Sequence, residues 1–360
     1  MSSKRKYIYL EAMRIFACFF VLFNHTGYKG FFLFSLYPSD SPQFWIYLFF
    51  SVFCTVSVPL FLTISGGLLL PKDEPLKVLW NKRIFRTGTV LVVMSFLYYM
   101  REVLLQKQEF NIKRFIIILY DKDWNFSYWY LYAFLAFLIS LPFLRAMVRA
   151  LKKNDYYYMI ALAVLFSAII PMAQYLLWHG EHTMNDNLRL DWLISSIVIY
   201  PLVGHFLQNI VDIEKTKKWI PLLWIINLLC IFATCYITYY KILVTGECSE
   251  GASQGFHQAF ALINCITLFI SFKYFFTHVK LPAFAEKLIA SVGQCTFGIY
   301  LFHVFVLMQS QYFTKLWDVF RVQWELNYML AAFLYCFLAM TVCYFITLIL
   351  RKIPGVNKFI

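Results

Sequence analysis

A chain of 360 residues that is 61% hydrophobic and only 14% charged is not a soluble globular domain, in which about 25% of residues would carry charge. Its formal charge of +13 does not point to nucleic acid, because there is no basic domain with interleaved aromatics and the Lys and Arg residues sit between long apolar runs, where the positive-inside rule puts them. Nine cysteines, eight of them (all but Cys248) inside those runs and none in a CxxC pair, read as small core residues and not as metal or redox ligands.

Apolar runs of membrane length recur from end to end. They predict about ten transmembrane helices, over roughly 8–28, 44–70, 87–105, 128–148, 156–178, 191–210, 219–240, 257–279, 291–313 and 327–350. Runs of about 20 residues are too long for barrel strands, which take ~9–11 residues of alternating pattern. The expected fold is therefore all-α, a polytopic integral membrane helical bundle forming one transmembrane domain over residues 1–360. With the N-terminus inside, 21 of the Lys and Arg residues fall in inner segments and 10 in outer loops, with Arg14 in the first span. That asymmetry puts both termini in the cytoplasm. Lys4, Arg5 and Lys6 before an apolar run imitate a signal peptide, but Glu11 and Arg14 break its apolar core, so a retained first helix is expected.

The first span, YIYLEAMRIFACFFVLFNHTGY from Tyr7 to Tyr28, carries Glu11, Arg14, Asn24 and His25. Ionisable groups in a membrane helix are costly and mark functional sites by default. Arg14 and His25 are eleven residues apart, about three turns, so they share a face ~16 Å apart along the axis. Glu11, Arg14, Cys18 and His25 form one stripe that must look into protein or water.

The second span contains Pro59 and then Ser65-Gly66-Gly67, small residues that let a neighbouring helix or a ligand approach the backbone closely. In the inner loop that follows, Arg83 and Arg86 are three apart. They suit either bidentate grip on an anionic cytoplasmic ligand or a basic anchor at lipid headgroups. The outer stretch Trp124-Asn125-Phe126-Ser127-Tyr128-Trp129-Tyr130 is an aromatic belt or a platform for a sugar. His179, Glu181, His182, Asp186, Asn187 and Asp191 match no zinc spacing and read as a solvated outer loop, so no metal site is expected. In the ninth span Thr296, Tyr300 and His303 step by four and three along one helix face. A second membrane histidine beside His25 and Arg14 shifts the reading from helix-to-helix hydrogen bonding toward a site.

Taken together, these residues resemble the membrane acyltransferase-3 family of envelope acyltransferases. The family's arginine, ten residues, then histidine in the first helix is similar to Arg14 and His25 in LEAMRIFACFFVLFNH. Its Ser-Gly element resembles Pro59 to Leu70, its spaced basic pair Arg83 and Arg86, and its tryptophan-tyrosine-leucine element Trp129-Tyr130-Leu131. Its glycine-x-tyrosine-leucine-x-histidine element resembles Gly298 to His303. Order and spacing agree along essentially the whole chain. Glu11 stands where the family often has Asp, which keeps the charge. Some members carry an extracytoplasmic hydrolase-like domain after the last span, and none is expected here.

The resemblance implies transfer of an acyl group, usually acetyl, from cytoplasmic acyl-coenzyme A to an envelope polysaccharide or lipid-linked glycan, in the bacterial cell membrane. Acyl-coenzyme A (acetyl-coenzyme A) is then a donor substrate, with no permanently bound cofactor. His25 is the expected base or transient acyl carrier, and Arg14 positions the donor or stabilises oxyanion charge. Arg83 and Arg86 would face coenzyme A phosphates, while Trp129, Tyr130, Tyr300, His303 and Glu11 would shape the substrate site. Two other readings stay open on the residues alone: a transporter or exporter of an envelope glycan or anionic solute, since a buried Arg/His stripe also suits proton coupling, and a non-catalytic partner in a polysaccharide-synthesis complex.

Overall fold

Unbroken apolar sequence with few β-branched runs folds as helix almost throughout: the chain is 82% helical and has no strand among the described residues. The computed structural model describes residues 7–105, 108–246, 256 and 259–360; Lys4, Arg5, Lys6, Lys107 and Cys248, with the first two residues of the expected eighth span, lie outside them.

The helices used below are α1 (Ile8–Asn24), α2 (Pro42–Cys54), α3 (Ser57–Leu69), α4 (Leu76–Leu105), α5 (Phe126–Ala150) and α6 (Lys153–Trp178). They continue with α7 (Ser196–Ile210), α8 (Ile213–Thr245), α9 (Ala261–His278), α10 (Ala283–Gln309) and α11 (Tyr328–Leu350). Several open or close with a short 3-10 or π turn. Among the described residues, eight helical stretches are long and apolar enough to cross a membrane, with α2 and α3 counted as one. The other two expected spans are shorter, α1 with 17 residues and α7 with a ten-residue α-helix running into a five-residue π turn. This is a multi-pass membrane bundle.

Its layers follow from how much of each helix is covered. The most apolar stretch of Pro42–Leu69 is 67% buried, whereas that of Lys153–Trp178 is 17% buried. A helix apolar all round yet mostly uncovered turns its surface to lipid. α1, α3 and α10 therefore form the centre, and α6 lies at the periphery.

The expected second span is two helices. α2 ends at Cys54 and α3 starts at Ser57. Pro59 has no N–H to offer back toward Thr55, and the Thr55 hydroxyl donates to the Val52 carbonyl (2.7 Å). Asn24 at the end of α1 reaches this break, its Nδ2 donating to the Cys54 carbonyl (3.3 Å) and to Ser57 Oγ (3.1 Å). Irregular backbone at membrane depth is tolerated where it lines a cavity, and Thr55, Ser57 and Val58 do line one.

The small residues of α3 serve helix packing. α7 crosses α3 so closely that a methyl on Gly66 would overlap the Pro201 backbone, and one on Gly204 would overlap the Thr63 carbonyl. Gly67 faces Gln208 and the Gly204 carbonyl. Ser65, one step round the helix, lines a cavity instead.

Between α4 and α5, in the outer loop richest in basic residues, a ten-residue helix (Ile112–Asp121) docks by Phe115 onto Tyr99 and Trp124. Ile116 and Ile117 on it stay exposed, as an interfacial helix would leave them.

Candidate active site between two cavities

Two cavities meet head to head inside the bundle. The inner one, about 570 Å³, is lined by Arg14 and by Lys82, Arg83, Arg86 and Arg351, with Ser65, Thr296 and Gln294 among its polar walls. The outer one, about 500 Å³, is lined by Asn24, His25, Ser57, Phe126, Ser127 and Trp129 among others. Four residues belong to both: Val21, Val58, Tyr130 and Tyr300. They form the waist where the two cavities adjoin, and the inner cavity lies at the end that carries the expected cytoplasmic charge.

α1 supplies both ends. It packs along α10, and Cys18 is buried against α10 with Sγ 3.8 Å from the Thr296 carbonyl. The shared face predicted for Glu11, Arg14, Cys18 and His25 is thus the face toward α10. Gly293 of α10 abuts Glu11, leaving no room for a side chain there. Arg14 and His25 share this face but not a cavity: Arg14 opens into the inner one and His25 into the outer one. Arg14 donates from Nη1 to Glu11 Oε1 (2.6 Å), while Glu11 Oε2 is buried without a hydrogen-bond partner.

His25 sits where α1 ends. Its Nδ1 lies 2.7 Å from Nε2 of fully buried His303, with the rings 4.9 Å apart and nearly parallel at 23°. His303 Nδ1 is 2.5 Å from the Tyr300 carbonyl. A carbonyl only accepts, so His303 carries its proton on Nδ1 and presents a lone pair at Nε2. His25 must then donate from Nδ1, which leaves the lone pair on its own Nε2 free. Two helices and one carbonyl thereby select the tautomer of the outer histidine. The edge of Phe126 covers its ring, with centroids 5.1 Å apart at 85°.

The start of α5 is tied to α10 in the same place. Asn125 Oδ1 accepts from Ser127 N (2.9 Å) and Ser127 Oγ (3.0 Å), and the Tyr300 hydroxyl donates to the Ser127 carbonyl (2.5 Å). Tyr130 stands edge-on to Tyr300, with ring centroids 5.5 Å apart at 75°. Trp129 and Phe126 are 41% and 50% exposed beside the outer cavity. Of the substrate residues expected from sequence, Tyr130, Tyr300 and Trp129 line cavities, whereas His303 contacts His25 and Glu11 contacts Arg14.

Arg83, Arg86 and Arg351 of the inner cavity each have a protein partner. Arg83 grips Glu74 bidentately, Nη2 to Oε1 at 2.6 Å and Nε to Oε2 at 3.0 Å. Arg145 binds the same carboxylate (3.0 Å) and the Leu69 carbonyl. Arg86 donates to the Phe359 carbonyl from both Nε and Nη2, and Arg351 Nη1 lies 3.4 Å from Cys295 Sγ. Sequence reasoning singled out Arg83 and Arg86 but missed Arg351, Gln294 and the Glu74 clamp. Arg351 follows the last span, and its only signal was membership of the positive inner set. The outer-loop residues His179, Asp186, Arg189 and Asp191 bind one another or Tyr240 and are not among the residues that line either cavity.

No curated protein and no solved structure matches the chain. A family model described as an acyltransferase domain matches residues 7–348. The histidine dyad and every cavity-lining residue except Arg351 and Ile360 lie within this match, and the chain belongs to the acyltransferase-3 family of membrane acyltransferases.

Proposed function

We propose that the protein is an O-acyltransferase that takes an acetyl group from cytoplasmic acetyl-coenzyme A and delivers it to a hydroxyl of an envelope polysaccharide or lipid-linked glycan, in a bacterial cytoplasmic membrane. The observation that carries this reading is the free Nε2 of His25 at the outer side of a waist whose inner side opens into a basic cavity. A coenzyme donor is polyanionic at one end and a neutral thioester at the other. The inner cavity has the matching polarity, with Lys82, Arg83, Arg86 and Arg351 among its lining and Arg14 deeper on α1.

In the reaction, the acceptor hydroxyl loses its proton to His25 Nε2 as its oxygen attacks the thioester carbon. The new C–O bond forms, the C–S bond breaks, and the proton passes to the departing coenzyme A thiolate. A general base at neutral pH is the role imidazole fills best. His303 accepts from His25 Nδ1–H throughout, so it steadies the imidazolium that forms, in the manner of the orienting member of a triad. Arg14, three turns away (~16 Å along the helix), is too distant to meet charge developing at His25 and serves the donor instead.

The test is transfer of label from [14C]acetyl-coenzyme A into envelope glycan, using membrane vesicles of both orientations, for wild type and His25→Ala at equal protein. Incorporation that needs donor on the cytoplasmic face and disappears in the variant is the expected result. Equal incorporation by both would remove His25 as the base. Uptake of glycan without any need for an acyl donor would replace the enzyme reading by transport.

A further inference from the structure

The four residues common to both cavities are not equally held. Tyr300 is locked at both ends, its hydroxyl on the Ser127 carbonyl (2.5 Å) and its own carbonyl on His303. Val21 comes from α1 and Val58 from the first turn of α3, both on packed central helices. Tyr130 is held differently. Among the described residues its hydroxyl makes no hydrogen bond, and its ring is held by packing alone, in an apolar cluster and against aromatic neighbours: Phe134 stacked at 5.8 Å, Phe61 tilted at 6.2 Å, and the edges of Trp129 and Tyr300. Ring contacts of this kind favour an orientation without fixing it as a hydrogen bond does.

We propose that Tyr130, working against Tyr300, Val21 and Val58, is the size-selecting element for the acyl group. This rests on the function proposed above. His25 lines only the outer cavity and the basic residues line only the inner one. A donor anchored by its phosphates from the inner side reaches His25 only by sending its acyl end through the waist. The waist is walled by two tyrosine rings and two valines. An acetyl group adds one methyl beyond the thioester carbonyl, whereas a hexanoyl chain adds five carbons that must bend past the same rings to meet the acceptor. A short acyl group passes with the Tyr130 ring in place, and a long one requires the ring to leave the Phe134 stack. The restriction lies on the path of the acyl group and not on the coenzyme, so it acts on the choice between donors that share every other contact.

The experiment measures kcat/KM for acetyl-, butyryl- and hexanoyl-coenzyme A with wild type, Tyr130→Ala, Tyr130→Phe and Val58→Ala, in vesicles at matched protein. The hexanoyl-to-acetyl ratio is expected to rise at least tenfold in Tyr130→Ala and several-fold in Val58→Ala. It is expected to stay at the wild-type value in Tyr130→Phe, which keeps the ring. Val58→Ala on the facing wall keeps the test decisive if Tyr130→Ala does not fold. Wild-type acetyl transfer with an unchanged ratio in both widened variants would overturn the waist as the selecting element and leave the proposed function standing. A wild-type protein that transfers no acyl group from any of the three donors would overturn the proposed function, and the waist with it.

Discussion

His25 and His303 meet across 2.7 Å, Nδ1 to Nε2, and the Tyr300 carbonyl on the far side of His303 decides which of the two holds the free lone pair. Substituting His303 therefore differs from substituting His25. His303→Ala leaves His25 in place but lets its ring turn and take either tautomer. Its kcat for acetyl transfer is expected to fall by roughly 10²-fold with little change in KM for the donor, whereas His25→Ala removes the proposed base altogether. His303→Gln, whose side-chain oxygen accepts as Nε2 does, is expected to recover part of the loss. Steady-state kinetics of the three variants checks this; a fall in His303→Ala confined to KM would mean that the dyad does not orient the base.

The inner cavity makes a separable prediction. Among the described residues Arg86 hydrogen-bonds the Phe359 carbonyl alone and no carboxylate, so its guanidinium is available to an anion, while the Arg83 fork is already filled by Glu74. Arg86→Ala is expected to raise KM for acetyl-coenzyme A by about tenfold, the loss of one charge-assisted contact of 1–2 kcal/mol, with kcat nearly unchanged. Arg83→Ala is expected to act first on stability, because it leaves the Glu74 carboxylate short of a partner. Donor titration and a thermal melt in detergent separate the two effects.

That Glu74 clamp has a defined pH signature. Hydrogen bonding by Arg83, and second by Arg145, holds the Glu74 carboxyl at about 2 against an ordinary value near 4.5, despite partial burial that acts in the opposite direction. A carboxyl held low in the folded state contributes stability that is complete above its unfolded value and is lost as pH falls through the folded one. Glu74→Gln is expected to cost about 1–3 kcal/mol at pH 7. The gap between variant and wild type should narrow from about pH 4.5 downward. A gap that is the same at pH 7 and at pH 3 would show that the carboxylate charge is not what holds Arg83 and Arg145 to the loop.

How much of this could be read in the chain itself depends on whether a feature is local. The Arg14-to-His25 spacing, the step from Thr296 to Tyr300 to His303 and the Trp129-Tyr130 pair lie within single helices, and helical geometry alone puts each set on one face. The partition of Arg14 and His25 between two cavities was not legible, because it depends on Tyr130 of α5 and Tyr300 of α10 meeting between them. The break between α2 and α3 was hidden for a related reason. Pro59 announces a weakened turn, but the Asn24 side chain that completes the break comes from another helix. Arg351 reaches the inner cavity from beyond the last span, and no spacing rule links it to Arg86.

Gly66 and Gly204 test the packing that holds α3 in place. A methyl at either would meet backbone of the opposite helix, which cannot move aside as a side-chain tip can. Gly204→Ala is expected to destabilise by about 1–3 kcal/mol or more. Gly88, inside α4 with open space around its Cα, is the contrast: Gly88→Ala is expected to be neutral or stabilising by up to about 1 kcal/mol. Melting temperatures of the two variants in the same detergent check the pair. Similar melting points would mean that α7 and α3 are not packed backbone to backbone.

The last prediction concerns the acceptor. Asn24 lines the outer cavity next to His25, and its Nδ2 is committed to the Cys54 carbonyl and Ser57 Oγ, so its Oδ1 cannot turn away. That oxygen is buried with no hydrogen-bond partner among the described residues, a state that costs about 1–3 kcal/mol unless something donates to it. In the proposed reaction a glycan brings a hydroxyl to His25, and a neighbouring hydroxyl on the same sugar is a donor of the right kind. Asn24→Ala is expected to raise KM for the glycan acceptor several-fold while leaving KM for acetyl-coenzyme A unchanged, because the donor enters from the other cavity. Asn24→Asp keeps an acceptor oxygen but loses the two anchoring N–H bonds, so it is expected to fall between Asn24→Ala and wild type. If both variants instead changed the KM for acetyl-coenzyme A and left that for the glycan alone, the acceptor would have to bind elsewhere than beside Asn24.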